Sequence, residues 1–416
     1  MNSIELFSGG GGLAQGFHLA GFEHEYLLEY MPAACETLRT NIAKGLFSSV
    51  NKPQVYEVDV REFSCPVTST QIDLLAGGPP CQPFSLGGKH QGPLDARDMF
   101  PHTRKFLAAY RPKLFLLENV KGLTRETFSL YVEFISLMLS FPEIPLEQDA
   151  PWQQQYIRLK KDSKNSASLR YKVKTQLLNA LHYGVPQFRE RFFFVGVRSD
   201  IDDEFFFPEP THSINELLDQ QLITGQYWDE RNISPSSGDL DFIKKRRRGK
   251  QIGSNQTLQS NLLSLNPAVT MYDSLGSLPP LDLDPHENEE FQHHLRKGCR
   301  LYPGHSGSFY HLPSKTLKAG VHGVPGGENN VVFADGSCRY LSVREGARIQ
   351  TFPDDYFFAG AWSVCFRQIG NGVPVALAEV LGTALKEFLL KNASARETIQ
   401  PVESDLISGG SQRVAA

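Results

Sequence analysis

Short apolar runs punctuate the first 120 residues, at 3–7, 26–30, 55–60, 72–76 and 114–118, and the stretches between them have room for helices, as at 98–110 and 125–140. Strand and helix signals alternating in this way predict a doubly wound, largely parallel sheet. Two further runs, YKVKTQLLNA at 171–180 and RFFFVGVR at 191–198, are separated by a turn region too short for a crossover helix. They predict an antiparallel pair at the sheet edge. From FPEPTH at 207–212 the pattern changes, and prolines, polar residues and irregular spacing dominate to about residue 338, with SLPPLDLDPHENEE at 277–290 reading as loop. This segment reads as a second, smaller domain. Helical periodicity returns in VREGARIQTF at 343–352 and in VALAEVLGTALKEFLL at 375–390, whose apolar residues form a stripe. Residues 392–416 are polar and aperiodic and read as a disordered tail.

Composition narrows the class without naming a function. With 416 residues, 40% hydrophobic and 21% charged, the chain can build two domains with full cores. No apolar stretch approaches the roughly 20 residues that span a bilayer, and the first methionine runs straight into a strand, so neither an anchor nor a signal peptide is expected. Cysteines at 35, 65, 81, 299, 338 and 365 form no C-x-x-C pair, which points away from a zinc site or a disulfide framework and toward a reduced, cytoplasmic setting without a structural metal.

The chemistry concentrates at strand ends. GGPPCQPFS at 77–85 places Cys81 between a Gly-Gly-Pro-Pro turn and Pro83, directly after the apolar run at 72–76. Open α/β sheets bind ligands at the carboxyl ends of their parallel strands, and the prolines restrict the local backbone. Free cysteines are most often inert, buried packing residues. The neighbouring motif favours the nucleophile instead: LFLLENV at 114–120 ends a second apolar run in Glu118 and Asn119. A capping or surface carboxylate is the structural alternative for Glu118. Upstream, SIELFSGGGGLAQGF at 3–17 reads as strand, glycine loop and helix, with Gly9, Gly11 and Ala14 matching G-x-G-x-x-G/A and Glu29 lying 20 residues beyond Gly9. That spacing suits any nucleoside cofactor with a ribose.

Taken in order, these motifs resemble the DNA cytosine-5 methyltransferases that use S-adenosylmethionine. The resemblance runs through LFSGGGGLAQGF, Glu29, Asp59 of VDV, GGPPCQPFS, DAR at 95–97, ENV at 118–120 and QFRER at 187–191. It resumes with RYLSVREGARIQTFPDDY at 339–356 and RQIGNGVPVALAEVLG at 367–382. Glu5 departs from the more usual Asp, and Gly372 stands where Ser or Ala is common. The resemblance implies a Rossmann-like, doubly wound mixed sheet of the class I methyltransferase type with a smaller, irregular target-recognition domain. On that basis residues 1–211 form the catalytic and cofactor-binding domain, 212–338 the target-recognition domain, 339–391 a return segment completing the catalytic domain, and 392–416 the tail.

The same resemblance implies site roles. Cys81 adds to C6 of a flipped-out cytosine, Glu118 contacts N3 and the exocyclic N4, and Arg191 contacts the target base. Arg189 is a partner for base, phosphate or Glu118, with a strand-end salt bridge equally open. Phe7, Gly9, Gly11, Gly12, Leu13, Val60 and Pro80 line the cofactor, Glu29 takes the ribose hydroxyls, Asp59 the adenine amino group, and Tyr30 covers the adenine face. Asn371 is a ligand for the cofactor's carboxylate end or, alternatively, a helix cap. Ser85 holds a flanking phosphate.

Charge points to a polyanion only locally. The net charge is −4, but KKRRRGK at 244–250 holds six cations, Lys244, Lys245, Arg246, Arg247, Arg248 and Lys250, and residues 158–174 carry seven against the single acid Asp162. Solvated faces and, for KKRRRGK, a localisation signal are the competing readings. Double-stranded DNA is the expected partner of a catalytically monomeric enzyme, with restriction or defence partners encoded nearby. An RNA cytosine-5 enzyme is a second reading, although the Cys-Phe-Thr tripeptide usual there is missing. A nicotinamide-dependent oxidoreductase is a third, and it leaves PPCQPFS and ENV without roles.

Overall fold

The structure is a computed structural model that describes residues 1–47, 52–66, 68, 71–80, 99–147, 150–166, 168–248, 265–284, 288–302, 306–319 and 329–392. Seven strands form its main sheet: β1 (Asn2–Leu6), β2 (Glu23–Glu29), β3 (Gln54–Glu57), β4 (Leu74–Gly77), β5 (Leu114–Val120), β6 (Tyr171–Asn179) and β7 (Glu190–Arg198). Their order is β3-β2-β1-β4-β5-β7-β6. β1 to β5 pair in parallel, while β7 runs antiparallel to both β5 and β6. The expected antiparallel pair therefore closes the sheet, with β6 at its edge. The order reverses between β1 and β4, and the loops that follow these two strands open at that switch point.

Strands buried on both faces need continuous apolar runs, and β5 illustrates this with six buried residues in succession. One face packs Leu6, Leu28, Leu75, Phe115, Leu117 and Phe194 against helices α3 (Phe100–Tyr110), α4 (Ser129–Ser140) and α5 (Trp152–Asp162). Earlier in the chain lie α1 (Gly12–Leu19), which follows the glycine loop, and α2 (Pro32–Ala43). On the opposite sheet face Leu74, Leu116, Phe193 and Val195 meet Phe17 of α1 and Leu377, Leu381 and Leu385 of the long C-terminal helix at Val375–Lys391. The last helix of the chain thus packs on the first.

The region after residue 211 is more structured than its composition suggests. It contains helices α6 (Ile214–Asp219), α7 (Gln226–Asp229), α8 (Ser237–Arg248) and α9 (Met271–Leu275), and the short strands β8 (His212–Ser213), β9 (Asn266–Pro267), β10 (Ser308–Phe309), β11 (Asn330–Val332) and β12 (Cys338–Tyr340). Ile214, Leu217, Trp228, Ile243, Phe309 and Leu312 form an apolar cluster there together with Leu181, while Met271, Leu275, Leu317 and Val331 join Leu38, Phe352 and Ile369 in another. Apart from α8, these helices have six residues or fewer and the strands two or three, too few for a repeated hydrophobic pattern, so pattern alone does not distinguish them from loop. KKRRR, read above only as a charge run, forms the C-terminal end of α8. Beyond it come α10 (Val343–Ile349), α11 (Trp362–Asn371) and α12 (Val375–Lys391). No helix among the described residues is long and apolar enough to cross a membrane.

Candidate active site

Glu118 lies near the end of β5, 8% exposed. Antiparallel register places Val120 opposite Arg191 and Glu118 opposite Phe193, so Glu118 and Arg191 are diagonal neighbours on one sheet face. Arg191 Nε lies 2.7 Å from Glu118 Oε1. Burial nevertheless raises the Glu118 carboxyl above its usual range, against the opposing charges of Arg191 and Arg189. The Arg191 guanidinium is lowered by the same burial. Desolvation outweighs pairing for both partners, which shifts each toward its neutral form.

The loop after β4 is tied to this carboxyl. Asn119 Nδ2 donates to Pro79 O at 3.1 Å, and a Cβ at Gly78 would sit 3.1 Å from Glu118 Oε2. ENV therefore fixes the start of the Pro-Pro-Cys turn as well as supplying the acid. Pro80 is half-buried at the end of this described segment. Cys81, Ser85 and the DAR of 95–97 lie outside the described residues, as do Lys250, residues 320–328 and the tail from 393.

At the carboxyl end of β1, Phe7 leaves the strand in the left-handed region at φ 57, a strained conformation for an aromatic residue, and Gly9 follows at φ 53. A Cβ at Gly9 would meet nothing within 4 Å, so the loop is open on that side. Beneath it Glu29 accepts hydrogen bonds from the backbone N–H of Gly9 (2.8 Å), Tyr30 (2.9 Å) and Met31 (2.8 Å). Burial raises the Glu29 carboxyl while those three donors pull it down. Tyr30, 61% exposed, stands beside it. An open loop edge, a fixed carboxylate and an exposed ring fit a nucleoside with free ribose hydroxyls.

The other sequence-derived positions divide. Asp59 lies past β3 and is held by Arg61, with Nε at 3.0 Å and Nη2 at 2.6 Å from its two oxygens, which lowers its carboxyl to about 2. Leu13 and Val60 turn their side chains into the two apolar cores and leave only their backbones to a ligand. Glycine at position 12 is required by packing, because a Cβ there would lie 2.3 Å from Val373 O. That contact lays the segment beginning at Asn371 directly over the glycine loop. Asn371 is the last residue of α11 and is exposed. Arg189 is fully buried and donates to backbone carbonyls of Leu317, Gly370 and Gly372, and Glu118 has its ion partner in Arg191.

Tyr356 and Glu5 were not singled out as site residues by pattern. Tyr356 donates to Gly10 O at 2.9 Å and supports the glycine loop from the return segment, and its only signal was its place at the end of the TFPDDY motif. Glu5 lies wholly buried under the loop, its Oε2 without a partner, and burial together with the nearby Glu29 raises its carboxyl well above the usual range.

Among the cations, Lys244, Lys245 and Arg247 are exposed on α8, Arg246 is half-buried, and Arg247 lies 3.5 Å from Asp219. Arg248 ends the helix, with its side chain outside the described residues. Three of the seven cations at 158–174 are paired: Arg158 with Glu147 and Asp162, Lys172 with Asp202 and Lys174 with Glu204. Among the described residues no group of three or more His, Cys, Asp or Glu could hold a metal ion.

Comparison with known proteins places this geometry in a lineage. The family model for C-5 cytosine-specific DNA methylases matches residues 1–141 and 157–387. Type II methyltransferase M.NgoMIV of Neisseria gonorrhoeae is 31% identical over 94% of this chain and 98% of its own length. Type II methyltransferase M.PspPI of a Psychrobacter strain is 30% identical over 95% of this chain and 81% of its own. A solved structure of a putative DNA modification methyltransferase encoded within a prophage of E. coli shares the fold, with a TM-score of 0.53 at 20% identity over 94% of this chain and 99% of that one. With the family model matching most of its length and relatives at 30% identity or more, the chain belongs to the C-5 cytosine-specific DNA methylase family.

Proposed function

We propose that this methylase modifies a specific sequence in double-stranded DNA with S-adenosylmethionine as donor and Cys81 as nucleophile. The observation that carries this reading is the buried Glu118–Arg191 pair at the end of β5, tied through Asn119 and Gly78 to the turn that leads into Cys81. C5 of cytosine is a poor nucleophile. Attack of the Cys81 thiolate on C6 breaks the C5–C6 double bond and gives C5 enamine character, while Glu118 holds a proton at N3 and Arg191 keeps the carboxyl in place. Bound S-adenosylmethionine supplies an electrophilic methyl group. Once C5 carries the methyl, loss of its proton and expulsion of Cys81 restore the aromatic ring and the enzyme.

Glu29, Tyr30, Asp59 and the open edge at Gly9 hold the nucleoside end, and Asn371 the carboxylate end. A base stacked in a duplex is inaccessible to a loop thiol, so the cytosine is flipped out at a cost of roughly a few kcal/mol. Residues 212–338 supply recognition contacts to offset that cost, and residues 339–391 complete the catalytic domain. Lys244 and Lys245 on α8 contact phosphates, and Ser85 holds one beside the flipped base. The enzyme acts as a monomer in the cytoplasm, as the modification partner of a restriction or defence system encoded nearby, in keeping with relatives named Type II methyltransferases.

Incubation with labelled S-adenosylmethionine and either DNA or tRNA tests the substrate class, with label expected in DNA at C5 of cytosine. Exchange of residues 212–338 with the same segment of a relative should transfer the methylated sequence. Retention of the original sequence by an active chimera rejects that assignment.

A further inference from the structure

The end of α11 is closed by side chains from two distant parts of the chain. The last carbonyls of a helix have no intrahelical donor. Here Gln350 Nε2 donates to Ile369 O at 2.5 Å and Gly372 O at 3.1 Å, and Arg189 Nη2 donates to Gly370 O at 2.8 Å and Gly372 O at 2.6 Å. Asn371 sits between these carbonyls, so its backbone is fixed on both sides while its side chain stays exposed. A guanidinium at this position also faces the negative end of the helix dipole.

The two capping side chains are joined. Gln187 Nε2 donates to Gln350 Oε1 at 2.9 Å, and Gln187 Oε1 accepts from Leu317 N at 2.9 Å, whose carbonyl accepts from Arg189 Nη1 at 3.4 Å. Gln187, Arg189 and Gln350 are each 0% exposed. Gln350 O also accepts from Val375 N at 3.0 Å, so the start of α12 hangs on the same residue. Thr351, next in the chain, is forced to φ 61, and its hydroxyl accepts from Ala376 N at 2.8 Å.

We infer that Arg189, with Gln187 and Gln350, is a positioning residue for the cofactor end of the site, fixing Asn371, and that it does not touch the cytosine. The inference rests on the proposed role of Asn371. Two residues along the chain Arg191 serves the base, so one strand start supports both halves of the reaction. Lysine keeps the charge of Arg189 but cannot span several carbonyls as a planar fork does.

The test pairs two measurements on the full chain: the dissociation constant of S-adenosylhomocysteine, and the rate of denaturation-resistant adduct formation with 5-fluorocytosine DNA at saturating S-adenosylmethionine. Arg189→Lys and Gln350→Met should each weaken S-adenosylhomocysteine binding about tenfold while leaving the adduct rate within about twofold. Asn371→Ala alone should weaken binding comparably. Combined with Arg189→Lys it should add little, because a displaced Asn371 has already lost its contact. A general loss of stability would not produce that split or that non-additivity. Slower adduct formation with unchanged binding puts Arg189 at the base and overturns the inference, as does full additivity with Asn371→Ala. Should Arg189→Lys fail to fold, Gln350→Met alone and with Asn371→Ala decides by the same two readouts. A wild-type chain that binds no S-adenosylhomocysteine overturns the cofactor reading itself and this inference with it.

Discussion

Past β3 and at the end of β5 the sheet places a carboxylate beside an arginine in opposite ways. At the β3 end, Arg61 grips both oxygens of Asp59, whose side chain is 28% exposed, and the carboxyl falls to about 2. At the β5 end, Arg191 touches Glu118 with both side chains about one-tenth exposed, and the carboxyl rises. Pairing decides the outcome where water remains, and burial decides it where water is gone. The difference suits the two tasks proposed for these residues: an ionised acceptor for the adenine amino group at Asp59, and a carboxyl shifted toward its protonated form for the ring nitrogen at Glu118.

The strongest way to sharpen this contrast is to remove the nucleophile and leave both acids in place. Cys81→Ala should abolish methyl transfer while S-adenosylhomocysteine binding stays within about twofold of wild type, since no proposed cofactor contact comes from that side chain. Residual turnover comparable to wild type would remove Cys81 from the reaction.

Neutralising each acid comes next. Glu118→Gln should lower single-turnover transfer by about 10²–10³-fold, the usual cost of losing one transition-state contact. Because the Glu118 carboxyl is raised, wild-type transfer should fall as pH rises through that raised value, and the Gln variant should lack this limb. Asp59→Asn should instead weaken the cofactor by about tenfold with single-turnover transfer at saturation little changed. An acid at about 2 stays ionised through the neutral range, so this loss should be constant from pH 6 to 9. Equal pH dependence of the two variants would break the comparison.

Phosphate contacts give a smaller, sequence-independent effect. Lys244→Glu with Lys245→Glu should reduce the salt dependence of DNA binding by about two counterions and leave the methylated sequence unchanged. A changed target sequence would make α8 a reader of bases.

How much of this was legible follows from the same physics. Strands buried on both faces write apolar runs, so β4 and β5 could be read directly, whereas β1 carries Ser3 and Glu5 and is read together with the glycine loop that follows it. The adjacency of β6 and β7 followed from the short turn between them. Arg189 could not be assigned, because its partners at Leu317, Gly370 and Gly372 are distant in sequence and are backbone atoms, which carry no residue signature. The place of Gly12 in the glycine loop assigns it to the cofactor, but a Cβ there would meet Val373 O, and Leu13 and Val60 fell within motifs while their side chains serve the cores. Motif position indicates where a segment lies and leaves open which atoms of it face the ligand.

The smallest predicted effect concerns the third acid, Glu5, which has no arginine partner among the described residues and extends the comparison to its limit. Its carboxyl is wholly buried, one oxygen lacks a partner, and desolvation with the nearby Glu29 raises it well above the usual range. A folded-state value above the unfolded one means that the group favours folding fully at pH below the unfolded value, near 4.3, and that this contribution is lost as pH rises through the raised folded value. Glu5→Gln keeps the shape and cannot ionise. Its melting temperature should exceed that of wild type at pH 8 by about 2 °C or more, which corresponds to roughly 1 kcal/mol in a domain of this size. The gap should close on acidification toward pH 4, where both side chains are neutral. Melting curves at pH 8, 6 and 4 decide it: a Gln variant less stable than wild type at pH 8 would mean that the ionised Glu5 is held by donors in the folded chain, and burial would no longer be the deciding force at this end of the sheet.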